Sequence, residues 1–114
     1  MTVQKNDLAP PKVKNVEEGV LSVSQIIGSV SITVAPIADA NKGDELAFIV
    51  KTSTGKSIVY SVTIEIPSDA YGYGAEKSFF ETGLAEGASV EVQYTVTRDG
   101  EVRHSPKVEF RLVQ

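Results

Sequence analysis

The chain has 114 residues, 11 of them Lys or Arg against 15 Asp or Glu, with no cysteine and no tryptophan. That length suits one domain, which buries roughly two thirds of the surface its unfolded chain exposes and needs no covalent staples. The missing cysteines exclude disulfides and thiolate zinc sites, the scattered charges (net −4) leave no basic footprint for nucleic acid, and no apolar run approaches the ~20 residues of a membrane span.

The opening stretch MTVQKNDLAP lacks the apolar core of a signal peptide. It is read as a flexible lead over residues 1–10, with a single domain over 11–114. The compartment stays unassigned: extracellular or cell-surface if the chain is part of a larger exported protein. After the stiff pair Pro10-Pro11, Lys12 to Val16 reads as a first strand. Glu18 to Ile27 is ambiguous between a short helical turn and a kinked extension of that strand.

From Ser29 onward side chains alternate. Val30, Ile32 and Val34 share one face of SVSITVA, and Leu46, Phe48 and Val50 share one face of ELAFIVKT. Period two marks a strand with one face buried. Between them Asn41-Lys42-Gly43-Asp44 reads as a turn.

The next connection, Ser53 to Gly55, contains TGKS, the tail of a phosphate-binding loop. Such a loop needs a further glycine five positions earlier, where this chain has Val50, and a helix whose N-terminus meets the phosphates. KSIVYSVTIEI follows instead, with Ile58, Tyr60, Val62, Ile64 and Ile66 on one face and Ser57, Ser61, Thr63 and Glu65 on the other, Val59 being the one apolar exception. That is strand periodicity, rich in β-branched residues, so the nucleotide reading fails.

SDAYGYGAEK, residues 68–77, is expected to connect strands, and Glu76 to Thr82 is read as a strand that sends Phe79 or Phe80 into the core. SVEVQYTVT is the clearest element: Val90, Val92, Tyr94 and Val96 alternate with polar residues from Ser89 to Thr97. Asp99-Gly100 then predicts a tight hairpin, because both residues tolerate positive φ. The returning strand carries Val108, Phe110 and Leu112 on one face.

Seven short strands without a convincing helix predict an all-β fold, a seven-stranded antiparallel β-sandwich. The predicted core is Val30, Ile32, Val34, Leu46, Phe48, Val50, Ile58, Tyr60, Val62, Ile64, Val90, Val92, Tyr94, Val96, Val108 and Phe110. An odd strand number sends the chain in at one end of the sandwich and out at the other, which suits head-to-tail stringing.

The C-terminal third resembles the last strands of a fibronectin-III or immunoglobulin-like domain: Leu84-x-x-Gly87, the alternating strand, the glycine hairpin, Ser105-Pro106 and a final strand. Leu8 to Val113 more specifically resembles an immunoglobulin-like repeat of large secreted and surface proteins of Gram-negative bacteria. The cues are LAPPKV, Gly19-Val20-Leu21, Gly43-Asp44 and Tyr94 to Gly100. The sequence departs from fibronectin-III domains at Val90, where a tyrosine usually ties the corner between strands. The resemblance implies an immunoglobulin-like, non-catalytic module: a structural spacer or adhesion and protein-interaction unit of a bacterial surface, secreted or virion-associated protein, without cofactor.

Few residues offer chemistry. His104, the one histidine, lies among Arg103, Ser105 and Pro106 and reads as a solvated edge residue; a small hydrolase built on it is the weakest alternative. Asp39, Asp44 and Glu45 read as a solvated acidic turn lacking the ligand spacing of a calcium loop. Tyr71 and Tyr73, between glycines, are the candidate ligand-binding residues, able to supply rigid amphipathic contact or to stack on a sugar. The favoured alternative has Tyr71 folding down over the end of the sandwich. Lys51, Lys56, Glu65 and Pro67 read as guards against edge-to-edge pairing, consistent with a monomeric domain whose partner is a protein or a glycan.

Overall fold

The structure is a computed structural model that describes residues 8–37 and 39–114. The lead predicted over residues 1–10 falls largely outside them. Where it is described, Leu8 is buried and Tyr94 Oη donates to the Ala9 carbonyl at 2.6 Å, while Ala9 and Pro10 are exposed.

Among the described residues ten strand segments form two sheets: β1 Lys12–Val13, β2 Val16–Glu17, β3 Val20–Ser22, β4 Ser29–Val34, β5 Glu45–Thr52, β6 Ser57–Thr63, β7 Tyr71–Glu76, β8 Ser89–Arg98, β9 Glu101–His104 and β10 Val108–Val113. The smaller sheet runs β1-β4-β7; the larger runs β2-β3-β10-β8-β5-β6, with β9 also paired to β8. The fold is all-β, with the core between the sheets. The expected count of seven strands is corrected to ten segments, and one pair, β3 with β10, is parallel.

The extra segments come from interruptions. The predicted first strand breaks at Lys14-Asn15, where Asn15 takes φ 70°, so β1 joins the smaller sheet and β2 the larger. Glu18 and Gly19 then form a two-residue hairpin loop with φ 53° and 77°. After β3 the ambiguous segment closes as a 3₁₀ turn over Val23–Gln25 that buries Val23.

The second interruption lies in the returning strand. Asp99 and Gly100, at φ 51° and 80°, make the predicted hairpin, whose twist matches the strands it joins. Thr95 then faces His104 and Val92 faces Val108, so Gln93 and Tyr94 oppose three residues, Ser105 to Lys107. This one-residue bulge reverses which parity points inward. Without it Phe110 and Leu112, both buried, would face solvent. Ser105 seals the bulge: its N–H donates to Tyr94 O at 2.9 Å, and its Oγ accepts Tyr94 N–H at 3.0 Å.

Two assignments move. Residues 71–76, expected in a connection, form β7, and the strand expected over Glu76 to Thr82 is a helix, α1, Lys77–Gly83. Seven residues are too few for a helix to persist alone. Tertiary contacts hold this one: Phe80 is buried, Phe79 meets it edge-on at 5.2 Å, and Lys77 N–H donates to Gly28 O at 3.1 Å. Among the described residues no helix is long and apolar enough to cross a membrane.

Most of the predicted core is buried, and Ala75, Phe80, Leu21, Ile26 and Leu112 join it. The exceptions cluster on β6: Ile58 and Val62 are half-buried and Tyr60 is 44% exposed. Val108 on β10 is also only partly covered. β6 has a neighbour on one side alone, so its inward face meets little of the three-stranded sheet.

Lys12 pairs with Thr33 near the end of β4, whereas Val113 lies beside Ser22, just before β4 begins. The described chain therefore starts and finishes toward opposite ends of a body measuring 44 × 30 × 23 Å.

Candidate functional site

β6 ends the larger sheet and β7 ends the smaller, so the two face each other across the open side of the sandwich. Between them lies a cleft of about 420 Å³ lined by Lys56, Ile58, Tyr73, Glu76, Phe79 and Thr82. Tyr73 and Phe79 give it two aromatic walls, and behind Tyr73 lies an aromatic cluster. Tyr60 from β6 stacks on Tyr73 from β7 with centroids 4.7 Å apart and planes 17° from parallel. Phe48 lies beneath both, at 6.3 Å from Tyr60 and 5.9 Å from Tyr73. Such pairs add about 0.5–1.5 kcal/mol beyond the area they bury, so the stack clamps the two free edges together. Burial raises the Tyr73 phenol above its ordinary pKa, and the Glu76 carboxylate adds to the effect.

The two tyrosines singled out from sequence thus lie in a strand with different tasks. Tyr71, Tyr73 and Ala75 point inward, while Gly72 and Gly74 are exposed. Gly74 suits the close pairing with β4, because a Cβ there would sit 3.1 Å from Ser29 Oγ. Tyr71 Oη accepts the N–H groups of Glu65 and Ile66 at 2.9 and 3.1 Å and donates to Ile66 O at 3.3 Å. It ties the β6–β7 connection to the start of β7. Of these two only Tyr73 lines the cleft, and its stacking partner Tyr60 belongs to the predicted core. The signal for Tyr60 is weak in sequence, since only the sheet order makes β6 an edge.

TGKS joins β5 to β6 as a turn: Thr52 N–H donates to Lys56 O at 2.8 Å, and Lys56 N–H donates to Thr52 Oγ1 at 3.0 Å. No helix follows, so no dipole or nest of amides is aimed at a phosphate.

The acidic turn is structural. Asp44 is 2% exposed; its carboxylate accepts Asn41 N–H at 2.9 Å and takes Arg98 Nε and Nη2, each at 2.9 Å. The Arg98 hydrogen bonds hold the Asp44 carboxyl below its ordinary pKa, against the opposing push of burial. Arg98 also donates to Asp39 O at 2.7 Å, and Arg103 grips the Asp39 carboxylate at 3.1 and 3.2 Å. Guanidinium groups fill the positions a cation would take. Glu45 is exposed at the start of β5. Among the described residues no group of three or more His, Asp or Glu side chains is placed to hold a metal. His104 lies exposed on β9, facing Thr95.

No protein-family model, no curated protein and no solved structure matches the chain.

Proposed function

We propose that this chain is an immunoglobulin-like, non-catalytic module that spaces or docks proteins in a bacterial surface, secreted or virion-associated assembly. The observation that carries the reading is the strand order. Three strands, β1-β4-β7, pack on a larger sheet centred on β10-β8-β5-β6, with the N-terminal edge divided between both sheets. Entry and exit at opposite ends fit serial stringing, and the ionic groups around Asp44 serve to tie turns together.

Two copies joined head to tail test it by small-angle scattering at a few micromolar. A spacer gives a maximum dimension approaching twice the 44 Å long axis. A pair folded back side by side overturns the spacer reading.

A second reading, a carbohydrate-binding module, is favoured by the stacked Tyr60–Tyr73 pair beside a cleft with Lys56 and Glu76. Ligand pockets combine aromatic and apolar walls with a few placed polar groups, and this cleft offers both. On a glycan array this reading requires a ligand that Tyr73→Ala loses. Tyr71→Phe should keep it, because the Tyr71 hydroxyl is spent on the β6–β7 connection.

A further inference from the structure

β6 is an unguarded edge. Its even-numbered residues turn their backbone groups toward β5: Lys56 O accepts Thr52 N–H at 2.8 Å, and Ile64 N–H donates to Asp44 O at 2.8 Å. By the alternation of an antiparallel ladder, Ser57, Val59, Ser61 and Thr63 present their N–H and C=O groups outward. Glu65, next in that series, sends its N–H away from β5 to Tyr71 Oη. Protected edges interpose lysine, proline or a bulge. Here Ser57 to Thr63 reads SIVYSVT, seven residues with no charge and no proline, and Val59 is 65% exposed. The residues expected to guard it, Lys51, Lys56, Glu65 and Pro67, lie outside it: Lys51 faces Ser57 from β5, Lys56 precedes the strand, and Glu65 and Pro67 follow it; Glu45 faces Thr63 from β5.

We propose that β6 pairs antiparallel with β6 of a second copy of this chain, about a two-fold axis at Tyr60, making one sheet continuous through both molecules. Residues paired across a sheet point to the same side. A symmetric pairing therefore joins residues whose numbers sum to an even value. A sum of 120 uses the whole free edge, setting Ser57 opposite Thr63 and Val59 opposite Ser61, both in hydrogen-bonded positions. The same register brings Lys56 of each β6 beside Glu65 of its mate, with Lys51 and Glu45 one strand further out on the basic and acidic ends. It also sets the two Tyr60 rings side by side, extending the Tyr60–Tyr73 stack across the axis. This inference stands on the edge alone and is independent of the spacer reading.

One strand pair is a small interface, at the low end of specific contacts, so the dimer forms reversibly at high concentration. Sedimentation from 10 μM to 1 mM (about a hundredfold, chosen to bracket weak association) should show the mass rising from 12.2 kDa toward twice that value. Val59→Lys should hold the lower mass throughout with an unchanged circular dichroism spectrum. Register is read by disulfide trapping, since the chain has no cysteine of its own. Tyr60→Cys should cross-link to a dimer on mild oxidation, because facing residues there have Cα atoms about 4.5 Å apart. Thr63→Cys, displaced about 20 Å from its symmetry mate, should not. A constant 12.2 kDa with no trapping by Tyr60→Cys overturns the proposal and leaves the edge to a different partner or to none. Equal trapping of both variants overturns the register.

Discussion

β6 and β8 read alike in sequence and behave differently in the fold. Both alternate apolar and polar residues, strictly on β8 and with Val59 as the one exception on β6. On β8 the inward side chains Val90, Val92, Tyr94 and Val96 are all buried, and β5 and β10 flank it. On β6 the same kind of face is half open. Periodicity reports which side chains share a face; how deep that face lies depends on what packs on each flank and on the opposing sheet. A strand between neighbours has every backbone group paired, and an edge strand keeps half of them free.

Large truncations should separate the two strands most sharply. Tyr94→Ala should cost about 3–5 kcal/mol, the usual range for deleting a buried aromatic, measured by urea unfolding. The matching Tyr60→Ala should cost about 1 kcal/mol, chiefly the stack on Tyr73. Equal losses at the two positions would break the contrast.

A middle-sized effect belongs to the turn that anchors β5 to the end of β8. Asp44→Ala should cost about 2 kcal/mol, since it leaves the Asn41 N–H without its acceptor and removes a buried carboxylate. Its pH dependence has a definite sign. The folded pKa lies below the unfolded value of 3.8, so between the two the unfolded chain binds more protons. This part of the stability is present above pH 3.8 and is lost as pH falls through the folded pKa. Urea midpoints at pH 7 and pH 3 should differ less for Asp44→Asn than for the unaltered protein.

Smaller changes sharpen the picture. Tyr94→Phe should cost about 1 kcal/mol through the lost bond to Ala9, and amide exchange at residues 8–13 should quicken. A flexible lead up to Pro10 would show no such change. At the edge, Val59→Lys should alter monomer stability by less than about 0.5 kcal/mol, because the side chain points into solvent.

The two-sheet fold was legible where one residue type repeated with period two, from Ser29 to Val34, Glu45 to Thr52 and Ser89 to Thr97. The Asp99-Gly100 hairpin was equally plain, because few residue pairs adopt two consecutive positive φ values cheaply. YGYG hid β7, since glycine on alternate positions signals a turn when its neighbour strand is unknown. KSFFET hid α1, since phenylalanine and threonine favour strands and the helix exists through the contacts of Phe80. The bulge at Ser105 to Lys107 showed only as a Ser-Pro step, although it decides that Phe110 and Leu112 face inward. Tyr71 and Tyr73 stand out in the sequence as exposed aromatic residues of a connection, although both lie in β7, and Tyr60, on an alternating strand, reads as core.

Local steric and hydrophobic rules act over a few residues, and they were enough to establish β4, β5, β6 and β8, the Asp99-Gly100 hairpin and a turn rather than a phosphate loop at TGKS. Which strand lies at an edge, which carboxylate meets Arg98 and which tyrosines stack depend on residues dozens of positions apart. Those pairings follow from how the two sheets close over one another, and no local pattern encodes that closure.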